Sequence, residues 1–208
     1  MTTVTVMDLL RESTSEMHNS AEANEFQHKL SGAKVEKDEL AKYLQQLYLI
    51  HQSVSSLIEQ KQTSNTALRH VVRDYHHDLT CIINDIEYLG EKPELAEPLK
   101  STADLIASMT ATSMSTPAAL LGYLYVLEGS TNGAKFLAKA LRKGLDLPVE
   151  AGASYFDRYG EQQRERWNGF KQAMNEVDFT TEERDKPVST ATETFQTFGK
   201  IGDELLKQ

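Results

Sequence analysis

Between Arg11 and Phe26 the chain reads RESTSEMHNSAEANEF. Apolar or small residues at Leu10, Thr14, Met17, Ala21 and Phe26 fall at helical rather than strand spacing, so the pattern predicts one helix over the stretch. Arg11, Glu12, Glu16 and Glu25 mostly take the remaining angles. His18 lies beside the apolar stripe, and Glu22 follows four residues later on the same face, one turn away. An imidazole that binds a metal through one ring nitrogen needs its other N–H held by an acceptor, and a carboxylate one turn along can supply it. On spacing alone, a His–Glu pair of this kind more often means an exposed ion pair.

Composition agrees with a helical protein. The 208 residues include only 5 Pro and 11 Gly, with abundant Leu, Ala, Glu, Lys and Gln. That length, 23.4 kDa, fits one large domain spanning 1–208. A net charge of −9 and a pI near 5.2 argue against general binding to nucleic acid or anionic membranes. Cys81 is the single cysteine, which excludes an internal disulfide framework and a zinc site of several thiolates. Met1 to Met7 carries no basic region with an apolar run behind it, so no signal peptide is expected. No run of about 18 apolar residues exists to span a bilayer, and the expected location is the cytoplasm.

After a break at Ser31-Gly32-Ala33, a second amphipathic helix is predicted over 36–60, with an apolar stripe of Leu40, Tyr43, Leu44, Leu47, Tyr48, Ile50, Val54, Leu57 and Ile58. His51 sits at the edge of that stripe and reads as a core-edge histidine. A polar loop is expected over 60–67, then a helix from Leu68 and another over 78–89 ending at Gly90. His76 and His77 point about a hundred degrees apart on a helix, which disfavours a shared metal ion; they read as solvated. Cys81 reads as a small buried hydrophobe. Pro93 and Pro98 bracket a connection into a helix over 99–109, with a linker over 110–116.

The second informative stretch starts at Pro117: PAALLGYLYVLEGSTNGAKFLAKALRKGL. It is apolar from Ala118 to Leu127 and again from Ala134, with Glu-Gly-Ser-Thr-Asn-Gly between, residues 128–133. Two glycines inside a helix cost about 1 kcal/mol each relative to alanine. Such a helix is expected to bend, with bare backbone where the glycines face. Close helix–helix packing is the plainer explanation of the same glycines. Helices over 152–177 and 180–206 complete the chain.

Together these stretches resemble the heme oxygenase family. RESTSEMHNSAEANEF is similar to its proximal helix, and Gly129 and Gly133 match the glycine pair of its kinked distal helix, with YVLEGST closest to bacterial members. The resemblance implies an all-α, single-domain bundle with heme sandwiched between the two helices. It implies His18 as the axial iron ligand and Glu22 as the partner of its second N–H. Arg11 and Lys171 fall near positions that meet the heme propionates. Gly129, Gly133 and Ser130 would line the oxygen side. The implied reaction opens heme with O2 to biliverdin, carbon monoxide and ferrous iron, with electrons from an external donor (ferredoxin, flavodoxin or an NADPH-dependent reductase).

The chain departs from the family where a second glycine is replaced by Ala134 and where animal members carry an aspartate in place of Ser130. Both departures bear on oxygen activation. A heme carrier or sensor on the same fold is therefore the alternative reading. A di-metal carboxylate bundle is disfavoured, since only Glu25–His28 and Asp74–His77 have a similar spacing. A plain helical interaction module would need none of these residues.

Overall fold

The computed structural model describes residues 4–208; the expectation about the first residues of the chain lies partly outside them, at Met1 to Thr3. Helix α1, Val6–Glu22, starts at Thr5, whose hydroxyl accepts the Asp8 N–H at 3.1 Å. The single helix predicted through Phe26 is corrected here. It ends at Glu22, and Asn24 turns extended to cap α2, Glu25–Ser31, by accepting the Phe26 N–H at 2.9 Å. The break is held from outside: the Asn24 amide also donates to the Gly199 carbonyl at 3.1 Å and to Asp203 at 2.8 Å. Phe26 stays fully buried on the new axis.

Helix α3, Lys37–Gln62, buries the predicted stripe, with Leu57 half-buried. It is followed by α4, Thr66–Val71, a 3-10 turn at Asp74–His77, and α5, Thr80–Tyr88, which ends ahead of Gly90 at φ +91°. Helix α6, Lys100–Ser115, runs straight through the predicted linker over 110–116. Its hydroxyls turn back on their own backbone, Thr110 to the Ile106 carbonyl at 2.9 Å and Ser113 to that of Thr110 at 2.7 Å. Small polar residues that read as loop formers are thus satisfied inside a helix whose other face buries Leu105 and Met109.

A 3-10 turn at Pro117–Ala119 opens into α7, Leu120–Gly129, in which every side chain from Leu120 to Glu128 is buried. Then come α8, Thr131–Gly144, α9, Gln163–Glu176, and α10, Thr181–Leu205. The helix predicted over 152–177 begins only at Gln163. Ahead of it, Gly152 at φ +82° and Gly160 at φ +49° divide the chain into 3-10 turns at Tyr155–Asp157 and Gly160–Gln162.

The protein is all-α; among the described residues there is no strand. Helix α10 is the spine of the bundle, with α1, α7, α6, α2 and α3 packed around it. It crosses α7 at Gly122, where a Cβ would collide with the Pro187 carbonyl and the Thr190 hydroxyl. Thr190 donates there to the Ala119 carbonyl at 2.8 Å. Among the described residues, no helix is long and apolar enough to cross a membrane.

Candidate heme site

The helix breaks between α7 and α8 at Ser130, where a bend is expected, although Ser130 keeps right-handed helical angles of φ −59° and ψ −26°. Three consecutive side chains support it by reaching back three residues. Ser130 donates to the Leu127 carbonyl at 2.8 Å, Thr131 to that of Glu128 at 2.7 Å, and Asn132 to that of Gly129 at 2.8 Å. Hydroxyl and amide donors of this kind tilt a helix by competing for its carbonyls.

The two glycines do different things. A Cβ on Gly129 would rest against the Trp167 ring of α9 at 3.5 Å, an ordinary contact. A Cβ on Gly133 would meet nothing within 4 Å. Gly129 thus lies against a neighbouring ring that leaves room for a methyl group, whereas Gly133 presents bare backbone to open space. Trp167 stacks on Phe170 at 5.6 Å between centroids and is tilted toward Tyr125 of α7 at 5.9 Å.

Helix α1 approaches this aromatic group through its buried Thr14. Burial raises the pKa of the Tyr125 hydroxyl, while Thr14 and Arg11 beside it act in the opposite direction. His18 lies one turn beyond Thr14. Its Nδ1 is 3.6 Å from a Glu22 oxygen, and both side chains are substantially exposed, 49% and 71%. The imidazole meets Phe195 of α10 edge-on at 5.3 Å. Among the described residues the ring makes no hydrogen bond within the protein.

Arg11 is 72% exposed and pairs with Asp8 at 3.5 Å. Lys171 on α9 is half-buried, its ammonium 5.9 Å from the Trp167 ring. The fold therefore gathers Arg11, Thr14 and the bend-side residues Tyr125, Gly129 and Trp167 into one region. His18 follows on the same side of α1.

The family model described as Heme oxygenase matches residues 4–204. The chain belongs to the heme oxygenase family.

Solved structures agree on the fold. Heme oxygenase from Leptospira interrogans is 22% identical with a TM-score of 0.88, over 96% of this chain and 99% of that one. The heme complex of heme oxygenase-1 from the cyanobacterium Synechocystis is 19% identical with a TM-score of 0.88, over 98% and 95%. A TenA homologue from P. horikoshii is more distant, 12% identical with a TM-score of 0.69 over 98% and 99%. No curated protein matches the chain at a significant level.

The donor set fits heme. His18 offers a ring nitrogen on an exposed face with a carboxylate beside its other nitrogen, and the backbone at Gly133 is uncovered. A multi-ligand metal centre has no counterpart. Among the described residues no three His, Cys, Asp or Glu side chains converge on one point.

The expectation that His76 and His77 are solvated is wrong. His76 is buried, its side chain 1% exposed, because Asp74–His77 forms a 3-10 turn that folds the ring inward. Its Nδ1 accepts the Arg73 N–H at 2.9 Å. His77 is half-buried and bonded to Ser55 at 2.8 Å. His51 is indeed at the core, 2.7 Å from the Tyr155 hydroxyl, and burial lowers its pKa well below the ordinary value. Cys81 is half-buried, and burial raises its thiol.

Sequence reading also missed a buried polar cluster directly ahead of the bend. Glu128 accepts from Arg158 at 3.1 Å and from the Tyr159 hydroxyl at 2.8 Å, with His76 Nε2 at 3.8 Å. A carboxylate ending a long apolar run was the available signal. Its partners stand 30, 31 and 52 residues away in sequence and are brought in only by the fold.

Proposed function

We propose that this family member is an active heme oxygenase that takes heme as substrate, with O2 and electrons, and releases biliverdin, carbon monoxide and ferrous iron. The observation that carries this reading is His18 itself. It sits on α1, whose sequence resembles the family's proximal helix, half-exposed and without a hydrogen bond of its own, beside a carboxylate suited to hold its Nδ1 proton. Heme, once bound, supplies the redox chemistry with O2; the protein supplies position and protons.

In this reading His18 Nε2 would bind the heme iron. Glu22 fixes the tautomer and makes the ring a stronger donor. Arg11 and Lys171, on α1 and α9, meet the two propionates. Gly133 keeps the oxygen side clear. Ser130, whose own proton is engaged by the Leu127 carbonyl, can still accept from a water there. The electron donor is external, a ferredoxin, flavodoxin or NADPH-dependent reductase, and the location is cytoplasmic.

That same engagement of Ser130 favours a second reading, a heme carrier or sensor that does not turn over. Aerobic reaction of the one-to-one hemin complex with a reductant separates the two. Loss of the Soret band with appearance of biliverdin supports the enzyme, and an intact Soret band after reduction supports the carrier. His18→Ala should change the iron's spectrum; an unchanged iron environment would remove His18 as the ligand.

A further inference from the structure

The bend between α7 and α8 is held from a direction that the heme reading does not use. Glu128, the residue before Gly129, has both oxygens buried. One of them accepts from Arg158 at 3.1 Å and from Tyr159 at 2.8 Å. The same guanidinium nitrogen donates to the Leu127 carbonyl at 3.2 Å. A single cation thus holds the side chain of one residue and the main chain of the one before it. It is itself confined between the rings of Tyr155, at 5.0 Å, and Tyr159, at 4.8 Å.

The other oxygen of Glu128 faces His76. Because His76 Nδ1 accepts a backbone N–H at 2.9 Å, a neutral ring must carry its proton on Nε2. Burial keeps the ring neutral, lowering its pKa to about 3. That Nε2–H is a buried donor with no hydrogen-bond partner. It faces the carboxylate from 3.8 Å, too far for a direct bond.

We infer that Glu128 is a positioning residue for the bend, clamped at one oxygen by Arg158 and Tyr159 and faced at the other by the His76 Nε2 proton. The clamp joins the last turn of α7 to Arg158 and Tyr159, between the 3-10 turns at Tyr155–Asp157 and Gly160–Gln162, with His76 of the Asp74–His77 turn facing it. It therefore sets where α8 departs and where Gly133 stands. Its consequence for heme, which rests on the function proposed above, is control of which edge of the macrocycle the bend overhangs.

The test has a heme-free arm and a heme-bound arm. In the parent protein, long-range proton–nitrogen correlation spectra should show His76 as the Nε2–H tautomer. An Nδ1–H tautomer overturns the placing of that proton toward Glu128. Tyr159→Phe and Glu128→Gln should speed amide exchange at Thr131 to Gly133 about tenfold or more, as expected for weakening a hydrogen bond to a buried charge, while α3 amides stay unchanged.

Equal acceleration in α3 would mean general destabilisation and would overturn the positioning role. If Glu128→Gln fails to fold, Tyr159→Phe, which deletes one hydroxyl, decides alone. In the hemin-loaded variants the ratio of biliverdin isomers should shift while heme affinity is kept. An unshifted ratio overturns the consequence for heme. A parent that makes no biliverdin defeats the proposed function, and the exchange result still decides the clamp.

Discussion

Replacing Gly133 by alanine should raise the stability of the heme-free protein and lower its oxygenase activity. Gly133 is exposed, and a Cβ there meets no atom within 4 Å, so the methyl group introduces no clash. The residue is effectively helix-interior, because Ser130 keeps right-handed helical angles where α7 passes into α8. Alanine is then favoured over glycine by about 0.8–1 kcal/mol. For a chain of this size that corresponds to a rise in Tm of about 2–4 °C. Gly129→Ala should be tolerated as well, since its Cβ would sit at an ordinary 3.5 Å from Trp167. If the bare backbone at Gly133 gives oxygen room over the heme, the methyl group enters that room. Biliverdin production should fall, with the oxidant diverted to peroxidase-like chemistry. The assay pairs thermal unfolding without heme with biliverdin yield per heme in the loaded protein. A lowered Tm would show that the backbone at this position needs glycine. A parental rate of biliverdin formation from a stabilised variant would refute the assignment of Gly133 to the oxygen side.

Three further outcomes follow from the same geometry. Gly122→Ala should act in the opposite direction, since its Cβ would drive α7 off Pro187 of α10; overpacking of this kind costs about 1–3 kcal/mol, read as a lower Tm or denaturant midpoint, and an unchanged midpoint would contradict the crossing described. Glu22→Gln should leave heme bound yet weaken the iron–histidine stretch in resonance Raman spectra of the ferrous form, because an amide is a poorer acceptor for the ligand's N–H; an unshifted stretch would reduce Glu22 to a surface charge. Burial, reinforced by neighbouring His77 and Arg158, depresses His76 to about 3, so the unfolded chain binds its proton first. Its contribution is complete above about pH 6.5 and is lost as pH falls toward 3, at about 1.4 kcal/mol per unit. Burial raises Glu128 and Asp85, which act with the opposite sign, so the comparison to make is with His76→Gln. That variant should lose less stability than the parent between pH 6 and about 4, and identical pH profiles would contradict a buried neutral His76.

What the sequence determined by itself was whatever one helix can encode alone. The periodic stripe of α3, the pairing of His18 with Glu22 one turn on, and the helix break between two glycines are all local. Each depends on residues within about two turns of one another, where spacing translates directly into shared faces. The tertiary structure decided what depends on distant partners. Asn24 ends α1 because Gly199 and Asp203 of α10 hold its amide, and nothing within the stretch itself shows that. Gly129 and Gly133 are alike in sequence, yet one faces Trp167 and the other open space, because only α9 supplies a neighbour to the first. His76 looked solvated in a polar segment and proved buried, since a 3-10 turn advances about 120° per residue where an α-helix advances about 100°. Glu128 could be seen as a lone charge at the end of an apolar run. Arg158 and Tyr159, which make its burial tolerable, reach it only when the turns after α8 fold back over the bend, because a buried carboxylate persists only where compensating charge and hydrogen bonds converge on it.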